Sequence, residues 1–179
     1  MMRLLGAVLA GGRSSRFGSD KALAELHGRP LIDHAIQALA AQTDAVVVCG
    51  RAWGDQWVAD RPAPDLGPLG GINAALHAAI ERGFGAVLTI PCDAPLLPGD
   101  LRDRLTGSGG AFCAEMPVIG LWPIAVAESL DRWLAGDAAN SVRGWARSVG
   151  ALPVELGGIL HNVNTPENLQ ALRAIVPRS

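Results

Sequence analysis

The chain has 179 residues, 49% of them hydrophobic and 18% charged, with a formal net charge of −2. That length suits one well-packed domain, the apolar content excludes a disordered chain, and the lack of a basic excess excludes an electrostatic footprint for nucleic acid. Cys49, Cys92 and Cys113 are odd in number and lack metal-ligand spacing, so they read as reduced thiols of a cytoplasmic protein.

The opening MMRLLGAVLAGG carries one arginine before a short apolar run. A clipped signal peptide has that outline, but a buried first strand over residues 3–10 explains it better, because charged loop residues follow at once. Leu31, Ile32, Ala35, Ile36 and Leu39 repeat at helical spacing, and AVVVCG (45–50) is a second buried strand. GGINAALHAAIERG (70–83) is the clearest helix, with Ile72, Ala75, Leu76, Ala79 and Ile80 on one stripe and Gly83 as its stop. GAVLTI (85–90) is a third buried strand, ended by Pro91. Beyond it, AFCAEM, PVIGLW and LPVEL read as strands, and VAESLDRWLAG and SVRGWARSVG as helices. A last helix follows Thr165 as N-cap, with Pro166 at its first position. No run is long enough to span a membrane, and no internal repeat is visible.

Strands alternating with helices predict an α/β domain: three layers, doubly wound, with a mostly parallel, Rossmann-like sheet. Ligands of such sheets bind beyond the carboxyl ends of the strands, which places the chemistry just after Ala10, Gly50 and Ile90.

The segment after Ala10, GGRSSRFGSDK, meets that placement. It matches neither the dinucleotide fingerprint nor the P-loop, since Lys21 stands three residues after Gly18. Its physical elements are still those of a phosphate loop. Gly11 and Gly12 let backbone N–H groups approach closely, Arg16 offers a planar fork and Lys21 a compact charge. An ordinary exposed loop with solvated charges is the competing reading. In TIPCDAPLLP, Asp93 lies just past the third strand between Pro91 and Pro95. A carboxylate fixed there suits Mg²⁺, which takes oxygen ligands and keeps several waters, although capping aspartates are also common after strands. Cys92 beside it has no histidine placed to activate it and reads as a small buried filler. Gly70 and Gly71 open a helix, where N–H groups suit anions. His27, His34, His77 and His161 are scattered without ligand spacing. Trp53 and Trp57 read as packing residues, and Trp122, Trp133 and Trp145 as core.

The pattern L-A-G-G-x-S-x-R-[apolar]-G-x-D-K over residues 9–21 resembles the signature of the nucleotidyltransferases that activate sugars and pterin cofactors. Its doubled glycine and Asp20-Lys21 pair resemble in particular the molybdenum cofactor guanylyltransferases, where related cytidylyl enzymes carry alanine-glycine. P-C-D-x-P around Asp93 and HNVNTPENL (161–169) resemble the same family. The resemblance implies a nucleotidyltransferase fold of the nucleotide-diphospho-sugar transferase type over residues 1–179, with a nucleotide half (1–100) and an acceptor half (101–179). It implies GMP transfer from GTP to the phosphate of molybdenum-molybdopterin, with Mg²⁺ as cofactor. Leu9, Ala10, Gly11, Gly12, Lys21, Asp60 and Asp93 would bind nucleotide, and Arg16, Lys21 and Asp93 would be catalytic. Asp93 and Asn164 would hold the metal, and Asn162 and Asn164 would face the acceptor. The resemblance also implies Asp60, rather than the nearer Asp65, as the guanine contact, since the family's aspartate stands at that spacing upstream of G-P-L; a carboxylate can accept from both N1–H and the 2-amino group. The implied partners are the two substrates, with molybdoenzyme apoproteins or other cofactor-biosynthesis proteins downstream. No nucleic acid, no membrane and a cytoplasmic location complete the expectation.

The chain also departs from the family. Cys49 stands where asparagine is usual, and EMPVIGLWPIAVA (115–127) lacks the family's histidine-proline. Two other functions remain open on sequence alone: a cytidylyl or sugar-phosphate nucleotidylyltransferase of the same fold, and a non-catalytic nucleotide or cofactor carrier.

Overall fold

A computed structural model describes residues 2–12, 20–107, 109–136, 141–157, 163 and 165–175. In chain order the elements are β1 (Leu4–Leu9), a 3-10 turn (Lys21–Leu23), β2 (Glu25–Leu26), β3 (Arg29–Pro30), α1 (Leu31–Ala40), β4 (Ala45–Cys49), β5 (Trp57–Val58) and α2 (Pro68–Glu81). They continue with β6 (Ala86–Pro91), α3 (Leu101–Arg104), β7 (Ala111–Cys113), β8 (Gly120–Pro123), α4 (Ala127–Ala135), α5 (Val142–Ser148), β9 (Leu152–Val154) and α6 (Pro166–Ile175).

Seven strands form one sheet in the order β5-β4-β1-β6-β8-β7-β9. All neighbours are parallel except β8, which runs antiparallel to both β6 and β7. The continuous apolar runs of β1, β4 and β6 follow from burial on both faces. Along β1, Leu5, Ala7 and Leu9 point into a core shared with α2, α4 and α5, while Leu4 and Val8 point into one shared with α1 and α3. Helices therefore cover both faces of the expected three-layer, mostly parallel α/β sheet. At Gly6 an added Cβ would stand 2.7 Å from Leu39 Cγ, so the missing side chain sets how closely α1 packs on β1.

The stripes on α1 and α2 are the predicted ones, with one exception. Ile72, Ala75, Leu76 and Ala79 are wholly buried, whereas Ile80 is 47% exposed at the end of α2. The α2 helix also begins two residues before the expected start, at Pro68. Trp122 and Trp145 are fully buried and pack ring to ring at 4.9 Å, while Trp133 is only partly buried. A small third core packs Leu169 and Leu172 of α6 against Leu26, Leu31 and Val163. The α6 start is capped reciprocally, Thr165 Oγ1 accepting from Asn168 N at 3.2 Å and Asn168 Oδ1 from Thr165 N at 3.1 Å.

Three features differ from expectation. AFCAEM and LPVEL keep strand pairing only over Ala111–Cys113 and Leu152–Val154, and PVIGLW only from Gly120. The reversed direction of β8 could not be read from its composition. Trp57, expected to pack, is 45% exposed on the edge strand β5.

Candidate active site

The carboxyl ends of β4, β1 and β6 lie side by side, as the parallel registers Leu9↔Cys49 and Leu9↔Pro91 require. They are laced by Ala10 N–H donating to Cys49 O at 2.9 Å and Cys92 N–H to Leu9 O at 3.1 Å. Beyond them opens a cleft of about 220 Å³, whose lining includes Leu9, Ala10, Gly11, Gly12, Asp20 and Asp93. The cleft thus stands where the topology of an open α/β sheet puts ligands.

One wall is main chain packed around a carboxylate. A Cβ on Gly50 would stand 2.7 Å from Gly11 Cα and 2.8 Å from Asp60 Oδ1. A Cβ on Gly11 would meet Asp60 Oδ2 at 2.9 Å, and one on Gly70 would meet Asp60 Cβ at 3.2 Å. Gly50 also takes φ +80°, which side-chain-bearing residues rarely adopt. Among the described residues Asp60 Oδ1 is buried with no hydrogen-bond partner. Burial, and then the negative charge of Asp65, raise the Asp60 carboxyl above the ordinary carboxylate range. A buried, unpaired carboxylate oxygen is costly and well suited to a ligand that brings hydrogen-bond donors. Asp65 itself is exposed at φ +64°, a turn position. The helix-opening glycines act differently from expectation. Gly70 and Gly71 are buried inside the first turns of α2, and their lack of side chains makes room for Asp60 and Leu9 instead of presenting amides to an anion.

The opposite wall holds Asp93, half-buried just past β6. Its carbonyl accepts from Val163 N–H at 2.9 Å, so the fold brings Val163 to the metal candidate across a long sequence separation. Asn162 and Asn164 themselves lie outside the described residues, as does Arg16 of the loop. Lys21 is described by its backbone, in the 3-10 turn at the rim of the cleft. Cys92 is half-buried and lines the cleft; the expectation of a buried filler is corrected, because Pro91 and Asp93 carry the chain out over the sheet edge here. Cys49 is buried beside Asp60, and burial pushes its thiol well up, which leaves it inert.

Arg51 lines the cleft immediately after Gly50 and pairs with Asp20 at 2.5 Å. Reading the sheet edge from the sequence reached Gly50 and stopped one residue short; a cation following a buried strand was the available signal. Val118, another lining residue, is held by Thr89 Oγ1, which donates to Val118 O at 2.7 Å and accepts from Trp122 Nε1 at 2.9 Å. This wholly buried hydroxyl links β6 to β8 and fixes the cleft's far side.

Among the described residues no three histidine, cysteine or carboxylate side chains gather as a metal cage. A magnesium ion needs fewer: one or two carboxylates, with substrate oxygens and water completing its octahedron. The all-oxygen candidates Asp93 and Asn164 fit that donor set.

The MobA-like NTP transferase domain matches residues 6–150. A molybdenum cofactor guanylyltransferase of Cereibacter sphaeroides is 37% identical, with 98% of each chain covered. One of Sinorhizobium fredii is 37% identical over 91% of this chain and 87% of its own. Among solved structures, molybdopterin-guanine dinucleotide biosynthesis protein A of Archaeoglobus fulgidus superposes with a TM-score of 0.76 at 19% identity, covering 96% of this chain and 97% of its own. The 2-C-methyl-D-erythritol 4-phosphate cytidylyltransferase of Thermus thermophilus gives 0.70 at 15% identity over 98% of both chains. These superpositions establish the nucleotidyltransferase fold. With a transferase family spanning the chain, the carrier reading is set aside. The family model and identities of 37% over nearly the whole chain show that this chain, whose sheet-edge cleft is lined by Gly11, Gly12 and Asp93 with Asp60 packed beside Gly11, belongs to the molybdenum cofactor guanylyltransferases, enzymes of the MobA-like NTP transferase family.

Proposed function

We propose that this enzyme transfers GMP from GTP to the terminal phosphate of molybdenum-molybdopterin in the cytoplasm, releasing pyrophosphate. The observation that carries the base assignment is Asp60. Its Oδ1 is buried without a partner beside Gly11 and Gly50, and the N1–H and 2-amino donors of guanine match a carboxylate as cytosine does not. Residues 1–100 form the nucleotide half on this reading, and residues 101–179 the acceptor half.

An oxygen of the acceptor phosphate attacks the α-phosphorus of GTP in line; a new P–O bond forms as the bond to the β-phosphate breaks, and pyrophosphate departs with the electron pair. Little covalent chemistry falls to the protein, so positioning and charge neutralisation carry the rate. The acceptor is a phosphate monoester with a second pKa of about 6, already a dianion near neutral pH, and it needs no dedicated base. Gly11 and Gly12 leave main-chain amides open to phosphate oxygens, and Arg16 and Lys21 would balance the charge growing on the leaving group. Asp93 and Asn164 would hold Mg²⁺, which when bound supplies positive charge to the phosphate oxygens. Asn162 would face the acceptor. Helices long and apolar enough to cross a membrane are absent among the described residues, and the product would pass to molybdoenzyme apoproteins or other cofactor-biosynthesis proteins.

The test is pyrophosphate release with GTP, CTP or UTP, each with and without molybdenum-molybdopterin. GTP-selective, acceptor-dependent release is expected. Release with CTP alone overturns the base assignment, and release without acceptor overturns the transfer.

A further inference from the structure

Arg51 and Asp20 both line the cleft. They lie 31 positions apart in the chain, one just past β4 and the other at the downstream end of the glycine-rich loop. The Asp20 carboxylate divides its work. Oδ2 takes Arg51 NH1, and Oδ1 accepts from the backbone N–H of Ala22 at 3.2 Å. The Asp20 carbonyl accepts from Leu23 N at 3.0 Å, closing the 3-10 turn that contains Lys21. Ala22 in turn is buried in the core under α1. One carboxylate therefore joins Arg51 to the backbone on both sides of Lys21. Arg51 follows directly on Gly50, which touches Gly11 and Asp60. Its side chain is 25% exposed, and among the described residues its Nε is buried without a partner, so Asp20 is the group that orients the guanidinium.

We infer that Arg51 is a positioning residue for the phosphate-binding loop: through Asp20 it ties the chain just past β4 to the turn carrying Lys21, and so fixes that turn for the triphosphate. The inference rests on the proposed GTP site. A planar fork held on a carboxylate is directional, and lysine cannot reproduce it fully.

The experiment is calorimetric GTP binding with Mg²⁺ and steady-state kinetics on the wild-type enzyme, Arg51→Met, Arg51→Lys, Asp20→Asn and the Arg51→Met/Asp20→Asn pair. Arg51→Met keeps the aliphatic stem, and thermal unfolding checks each variant's fold. Arg51→Met and Asp20→Asn should each weaken GTP binding and raise its KM about tenfold. The acceptor KM should stay unchanged and kcat should fall by less than KM rises. The double variant should be no weaker than either single one, because both remove the same bridge, and Arg51→Lys should recover part of the loss. Additive losses in the pair overturn the bridge, as do single variants that bind GTP like the wild type. A wild-type enzyme that binds no GTP sinks the proposed nucleotide site itself, a different result from either.

Discussion

The two halves of the sheet are built differently. β4, β1 and β6 are parallel neighbours, five or six residues long and buried on both faces, and their ends make a wall that is almost entirely main chain around Asp60. β8, β7 and β9 are shorter and mixed in direction, and the segment that brings Val118 to the cleft is held by the buried Thr89 hydroxyl, which also accepts from Trp122, together with the backbone bond from Cys113 N to Ile119 O. The nucleotide side is therefore shaped by backbone and the far side by side-chain packing. Replacing a polar side chain on the first, as opposed to one of its glycines, should change binding with little change in folding. Those on the second should change folding first.

The sharpest test of that division is Asp93→Ala, since Asp93 sits where the halves meet and bonds to Val163. Loss of a charge-stabilising group costs on the order of 10²–10³ in kcat, and a magnesium titration should show the metal dependence abolished while GTP still binds. Next comes Asp60→Asn. Hydrogen bonds to a charged acceptor are worth about 1.5–3 kcal/mol, so GTP affinity should drop roughly 10- to 100-fold, with its preference over CTP erased. The apo enzyme should melt no lower than wild type, because a half-buried negative charge has been removed. An Asp60→Asn enzyme that unfolds early would break the comparison. On the other side, Thr89→Val leaves Trp122 Nε1 without its acceptor in the core, a cost of about 1–3 kcal/mol. At ~2–4 °C per kcal/mol for a chain of this size, differential scanning calorimetry should register a Tm lower by several degrees, with GTP affinity at low temperature retained.

The smallest effect is pH dependence, and its sign differs between two carboxylates. Asp60 has a raised folded pKa, so its ionisation opposes folding above that pKa and the cost is relieved as pH falls through it. GTP binding should weaken over the same interval, as the acceptor oxygen is lost. Asp131, on α4, is the reverse. Burial works to raise it, but hydrogen bonds from Asn73 (2.9 Å) and His77 (3.0 Å), with the positive charges of His77 and Arg61, hold it below the ordinary range. Its contribution is full above the ordinary carboxylate range and is lost as pH falls through the lowered value. Asp131 is 42% exposed, so solvent keeps the effect small. Acid unfolding of Asp131→Asn should lose part of the wild-type slope below that range.

How much of this was legible in the sequence follows the same division. The buried runs of β1, β4 and β6 and the stripes of α1 and α2 were readable, because burial on both faces leaves unbroken apolar strands and burial on one leaves a helical period. So were the edge positions of Gly11 and Asp93, whereas Asp60 came only from the family resemblance. β5 has two residues and α3 four, too few for any period to register. The direction of β8 is a tertiary property that its own residues do not encode. Ile80 and Trp57 were misplaced because apolar character was taken for burial, yet both stand at the ends of their elements. The pairing of Asp20 with Arg51 depends on two loops meeting beyond the sheet, and no local pattern announces it.

The meeting of Gly11, Gly50 and Gly70 around one carboxylate has a consequence for how such an enzyme could diversify. A recess whose sides are bare peptide offers few side chains to swap; enlarging or narrowing it means moving strands that are hydrogen-bonded into the sheet. Substitution at those glycines should close the recess before it retunes it. Asp60 is the polar side chain that these glycines enclose, so if it reads the base as proposed, a lineage drifting toward another base would have to change there first.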